Sequence, residues 1–255
     1  RGLLGCVLLL LLQRLRGRKP DLAALRRYLP ALLISGGMIG FNWMLLFEAY
    51  RYTSVSVATL SYYFAPVIVT LICPILFHEK LTGKKFLCFV MSTLGLVLIT
   101  GIGDTRGSDD LKGILFGLGA AVFYATVILL NKYITGVPAL ERTFVQFLAA
   151  ILVLAPYVAL TSGFHPEVLS ATGWVNLLIV GFVHTGVTYC MYFSAIRALP
   201  GQESSLLSYL DPIVSVLVSV LLLGEPLAPI QIAGMVLFLG FAIANEFTHK
   251  NAKTT

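Results

Sequence analysis

Residues 47–81 read FEAYRYTSVSVATLSYYFAPVIVTLICPILFHEKL, and 146 positions later residues 193–227 read FSAIRALPGQESSLLSYLDPIVSVLVSVLLLGEPL. Laid over one another without a gap, Phe47-x-Ala49-x-Arg51 meets Phe193-x-Ala195-x-Arg197. Leu60-x-x-Tyr63-x-x-Pro66 meets Leu206-x-x-Tyr209-x-x-Pro212, and Glu79-x-Leu81 meets Glu225-x-Leu227. The same offset links Gly40 with Gly186, Leu71 with Leu217 and Val90 with Val236. Leu and Val matches carry little weight in an apolar chain; paired Arg, Tyr, Pro and Glu carry more. The chain is an internal duplication, and that decides the fold before any single residue does.

The duplicated unit belongs in a bilayer. Hydrophobic residues make up 58% of the 255 and charged residues 12%, against about a quarter charged in soluble domains. Apolar runs near 29–50, 54–77, 86–101, 111–133, 139–161, 174–198, 203–223 and 229–247 approach the roughly 20 residues that cross a bilayer as helix. Residues 2–12 form a shorter ninth run. The expected fold is an all-α integral membrane protein. Cys6, Cys73, Cys88 and Cys190 have no metal-ligand or redox spacing and read as small core residues. No metal site or cofactor is expected.

The +6 net charge raises a nucleic-acid partner, but its placement excludes one. Six basic residues lie in 14–27, three at Lys80, Lys84 and Lys85, and two at Lys250 and Lys253. If 14–27 is cytoplasmic and each run crosses once, fourteen Lys/Arg fall inside. Only Arg1, Arg51, Arg106 and Lys112 fall outside. That is the positive-inside pattern of a multi-pass cell-membrane protein with a cytoplasmic C-terminus. The Glu79 end of copy one, followed by lysines, then faces inward, while the Glu225 end of copy two faces outward. The copies are expected to cross in opposite senses, as two inverted-topology repeats. Inversion needs an odd helix number, so five per copy are expected: ten in all, about nine here, with a first helix upstream of Arg1. The divisions are 1–103 for the first repeat, 104–110 for a linker, 111–248 for the second repeat and 249–255 for a tail.

These residues resemble the EamA-type carriers of the drug/metabolite transporter superfamily. The resemblance rests on Ala49-Tyr50-Arg51-Tyr52-Thr53, Leu60-x-x-Tyr63-x-x-Pro66 and Glu79-x-Leu81, with Ala195-x-Arg197, Leu206-x-x-Tyr209-x-x-Pro212 and Glu225-x-Leu227. It implies a ten-helix carrier of small metabolites, often an exporter, working by alternating access. The family pattern is not specific for substrate.

Candidate binding residues follow from polar groups at membrane depth. Ser204, Ser208, Asp211, Ser215 and Ser219 share one helical face, which must meet protein or a water-filled cavity. The serines alone also suit close helix packing. Asp211 adjoins Pro212, and its insertion costs about 2.5–3.5 kcal/mol, so it is either a site residue or a structural acceptor. His184, Thr188 and Tyr192 share a second face, opposite Asn42 by the repeat. His184 and Asp211 are the natural candidates for a proton-responsive pair, although membrane histidines also bond helix to helix. Trp43, Tyr62, Tyr63, Tyr124, Tyr189 and Tyr209 could line a cavity or simply pack. Glu48 and Arg51 read as a structural or gating pair, and Pro66 and Pro212 as bending points.

The expected partners are the bilayer, a small amphipathic solute, amino-acid-like among the options and with export as the expected direction, and protons through that pair. A lipid-carrier translocase of the same fold is the alternative. An enzyme is not expected: His78-Glu79 lacks the second histidine of a metalloprotease helix, and no phosphate-binding loop appears. Oligomeric state stays open.

Overall fold

The computed structural model describes residues 2–15, 17, 21–77, 83–100, 108–134, 136–161, 163, 169–188, 191, 214, 218, 221–222, 224 and 228–251. Among them every regular element is helical. They are α1 (Gly2–Leu15), α2 (Leu22–Tyr52), α3 (Val55–Tyr62), α4 (Ala65–Phe77) and α5 (Gly83–Thr100), then α6 (Ser108–Tyr133), α7 (Ala139–Thr161) and α8 (Ala171–Leu178). The last runs straight into a π-helical segment, Ile179–Val187, and α9 covers Pro229–Asn251. Helices α5 and α9 begin 146 positions apart, at the offset of the sequence repeat.

Local chemistry fixes the helix ends. Asp21 Oδ1 accepts from the amides of Ala23 and Ala24 at 3.0 and 3.1 Å, capping α2. Ser54 Oγ accepts from Val57 N at 3.3 Å, and Ser170 Oγ from Gly173 N at 3.1 Å. At α9 the Gln231 side chain reaches back to Ala228 N at 2.8 Å, ahead of a proline at the first helical position. α7 stops at Gly163, whose φ of 68° only glycine adopts readily.

Among the described residues three helices are long and apolar enough to cross a membrane: α2, α7 and Asp109–Tyr133 of α6. The run at 54–77, expected as one span, is instead two helices, because residue 66 is a proline. The run at 174–198 is seen only through α8 and the π segment.

Burial departs from that of a soluble protein in two respects, beside an apolar core that includes Leu32, Phe147 and Phe238. Ser35, Asn42, Ser61, Thr143, Gln146 and Thr185 are buried, whereas Leu152, Leu160, Ile75 and Val236 are exposed. Polar groups sheltered among helices beneath an apolar exterior are what a lipid solvent demands. The chain is an all-α membrane protein.

Two compact units form. Unit 1 comprises 1–41 and 126–198; unit 2 comprises 42–125 and 199–255. Each draws helices from both sequence copies. In unit 1, Leu32, Ile134 and Val137 make a core packed by Ala24, Leu25, Tyr28, Ala31 and Val145. There α2 crosses α7 so closely that a Cβ on Gly36 would lie 2.5 Å from Ala149 Cβ. In unit 2, Ala65, Ala121 and Ala125 form a core under Phe64, Ile68, Val69 and Tyr124. There α5 crosses α9 at Gly95, where a Cβ would lie 2.6 Å from Phe238 N. Small residues allow such approach, which supplies packing energy where lipid is as apolar as leucine.

Candidate functional site

In unit 2 the candidate residues gather at the break between α3 and α4. Tyr63 N donates to Thr59 O at 3.0 Å, and Phe64 N tightens to Ser61 O at 3.2 Å. Proline at 66 has no amide hydrogen for the Tyr62 carbonyl, so the α ladder stops and restarts, with Val67 N and Ile68 N both donating to Phe64 O at 3.1 Å. The Tyr62 ring lies 5.7 Å from Tyr63 and 5.2 Å from Tyr124 of α6, centroid to centroid. All three tyrosines are half-buried. The Tyr62 ring thus meets both of the others where the backbone is irregular.

Beside this cluster, Asn42 donates from Nδ2 to Ala120 O at 2.7 Å and is buried. That bond ties α2 to α6. Trp43 is buried as well. Ser61 donates to Val57 O at 2.8 Å and packs on Gly117, where a Cβ would lie 2.8 Å from Ser61 Cβ. Arg51 Nη1 lies 3.1 Å from Glu48 Oε1, with the arginine end exposed. Tyr50 Oη and Thr59 Oγ1 are 3.3 Å apart.

In unit 1, His184 lies in the π-helical segment, with Thr188 just past its end, and both are exposed. Their neighbour Thr185 is buried at 2% exposure and donates to Val180 O at 2.9 Å. Sequence reasoning missed a buried polar network elsewhere in this unit. Gln146 Nε2 donates to Ser35 Oγ at 2.7 Å and to Asn131 Oδ1 at 2.8 Å, joining α7 to α2 and α6. Arg142, one turn before Gln146, reaches the Asn131 carbonyl at 3.5 Å. Three amide or hydroxyl side chains inside apolar runs were the available signal.

Asp211, Pro212, Ser208, Tyr209, Tyr189 and Tyr192 lie outside the described residues. The candidates therefore fall into two described groups, the tyrosine cluster of unit 2 and the His184 helix of unit 1. Among the described residues no three His, Cys, Asp or Glu side chains come together as a metal site.

Comparison with known proteins agrees with this architecture. Residues 1–101 and 111–245 each match the profile described as the EamA-like transporter family. The chain is 31% identical over 214 residues to an uncharacterized transporter, YxxF, of Bacillus subtilis strain 168, covering 83% of this chain and 68% of that one. It is 28% identical over 247 residues to the protein PecM of Dickeya dadantii strain 3937, covering 88% and 82%. The threonine/homoserine exporter RhtA of Escherichia coli strain K12 is 26% identical over 164 residues, covering 64% of this chain and 55% of the exporter. A solved crystal structure shares the fold with a TM-score of 0.71 at 18% identity, covering 98% of this chain and 85% of its own. With the family profile repeated over both halves of a helical membrane protein, the chain belongs to the EamA-like transporter family.

Proposed function

We propose that the protein is a secondary carrier of the cell membrane that moves a small amphipathic, amino-acid-like solute outward by alternating access. Its two repeats cross in opposite senses and rock about a central site, with the C-terminus in the cytoplasm. The carrying observation is the α3–α4 break at Tyr62–Ala65 with its tyrosine cluster. Irregular backbone at membrane depth is tolerated where it is buried in protein or lines a cavity, and broken helices are typical of secondary-carrier substrate sites.

The cargo groups follow from the residues. Tyr62, Tyr63, Tyr124 and Trp43 offer apolar faces to a side chain, with phenol hydroxyls for polar ends. Asn42, His184, Thr188 and Ser208 add hydrogen-bonding groups, and Tyr189, Tyr192 and Tyr209 extend the lining. Asp211 supplies negative charge for an ammonium group. At about 4 Å and an effective dielectric near 20 that attraction is about 4 kcal/mol, enough to offset an insertion cost of about 2.5–3.5 kcal/mol. Pro66 and Pro212 are the bending points, the Glu48–Arg51 pair is the outer latch, and protons act through His184 and Asp211. The similarity to a threonine/homoserine exporter favours an amino-acid cargo.

The test is an export profile. Cells expressing the full-length protein, loaded with amino acids, are expected to release L-threonine, L-homoserine or a close analogue several-fold faster than vector-only cells. A medium indistinguishable from the control for every amino acid tried would remove this reading.

A further inference from the structure

A π-helix closes i→i+5 bonds, and stretches beyond a single turn are rare. Ile179–Val187 runs for nine residues in that form, and Thr188 N continues it onto Val183 O. The hydroxyls match. Thr143, Thr161 and Ser61, all in α-helices, donate to the carbonyl four residues back at 2.8 Å. Thr185 and Thr188 reach five residues back, to Val180 O at 2.9 Å and Val183 O at 3.1 Å.

The repeat supplies an internal control. The counterpart of Ile179–Val187 in the first copy is residues 33–41, which lie inside the continuous α-helix α2. Thr185 corresponds there to Ile39, which has no hydroxyl. Thr188 corresponds to Asn42, whose amide goes to Ala120 of another helix. One unit, aligned without a gap, is α-helical where these hydroxyls are absent and π-helical where they are present.

Packing anchors one face of the segment. A Cβ on Gly5 of α1 would lie 2.9 Å from Thr185 Cγ2, and one on Gly181 would lie 2.7 Å from Leu4 Cβ. Gly181 and Thr185 are thus pressed on α1, and the register after them decides what the next residues face. In an α-helix, positions i, i+4 and i+7 share a face, so Thr188 would join Gly181 against α1. In the observed form Thr188 is exposed beside His184.

We propose that Thr185 is a positioning residue whose bond to Val180 O holds this segment in the π form, and that breaking the bond returns it to an α-helix and turns Thr188 inward. A one-residue change of register rotates the following helix by about 100°. This gives the carrier an element with two discrete arrangements, which alternating access requires. The functional meaning rests on the reading that His184 and Thr188 belong to the transport site; the register itself does not.

The test reads the register without using flux. Thr188→Cys is placed in a full-length protein freed of its native cysteines, reconstituted in liposomes and reacted with N-ethylmaleimide. Alkylation is expected to be rapid with Thr185 and with Thr185→Ser, and at least tenfold slower with Thr185→Val and Thr185→Ala. Rates within twofold of the parent in a monodisperse Val or Ala variant would overturn the proposal, as would slow alkylation in the Ser variant. If both hydroxyl-free variants aggregate while Ser does not, the hydroxyl is a folding requirement and the register device is wrong. The expected pattern in a protein that moves no amino acid would support the device and sink only the transport reading.

Discussion

Tyr62 packs between two rings, and the proposed carrier reading adds a cargo contact that a single substitution can separate from that packing. Its ring contacts Tyr63 and Tyr124, and such pairs contribute about 0.5–1.5 kcal/mol beyond area burial. Tyr62→Phe keeps both ring contacts and removes only the hydroxyl. The KM for an amino-acid cargo should rise about 2- to 10-fold, the equivalent of one hydrogen bond. Vesicle kinetics with an unchanged KM would exclude the hydroxyl from cargo contact. Tyr62 stands out in the sequence as the repeat counterpart of Ser208, 146 positions on, but its ring contacts with Tyr63 and Tyr124 do not. The amide of Asn42 was legible as polar at depth, but not its direction: the sequence does not reveal that a carbonyl at Ala120 stands within reach.

At the scale of helices, close crossings decide which small residues matter. Gly36 and Gly37 are adjacent, yet a Cβ on Gly36 would lie 2.5 Å from Ala149 Cβ, whereas one on Gly37 would lie 3.8 Å from Val153 Cγ2. Gly36→Ala should cost about 1–3 kcal/mol and lower Tm by roughly 2–10 °C. Gly37→Ala should be neutral or slightly stabilising through helix propensity. Thermal unfolding of the two purified variants checks this, and equal Tm values would refute the crossing. Gln146→Leu removes two interhelical bonds and leaves Ser35 and Asn131 to find other partners. At about 0.6 kcal/mol per membrane hydrogen bond, 1.7 at most, Tm should fall by a few degrees; no change would mean the network is not structural. Helix ends were legible where chemistry marks them. α7 begins after Pro138 and stops before Gly163, and its expected bounds are those observed. The π segment was not legible, because hydropathy reports an apolar helix and is blind to whether its bonds span four residues or five. Two threonines three apart were the trace it left.

The whole molecule is governed by the duplication. The 146-residue offset read from Arg, Tyr, Pro and Glu pairs reappears in the starts of α5 and α9. What pattern matching could not supply is how helices from both copies combine, because each compact unit mixes them and long-range pairing leaves no local signal. The reversed crossing proposed for the two copies predicts that Lys84 and Lys250 share the cytoplasmic side. A membrane-impermeant amine reagent should label both in inverted vesicles and neither in right-side-out ones; labelling of the two from opposite sides would break the inversion. The most direct test of the carrier itself is counterflow. Liposomes holding the full-length protein and preloaded with unlabelled L-threonine or L-homoserine should transiently accumulate the labelled amino acid above equilibrium, with at least a tenfold loss in Asp211→Asn. Accumulation no greater than in protein-free liposomes for each amphipathic amino acid tried, or full counterflow in Asp211→Asn, would contradict the account.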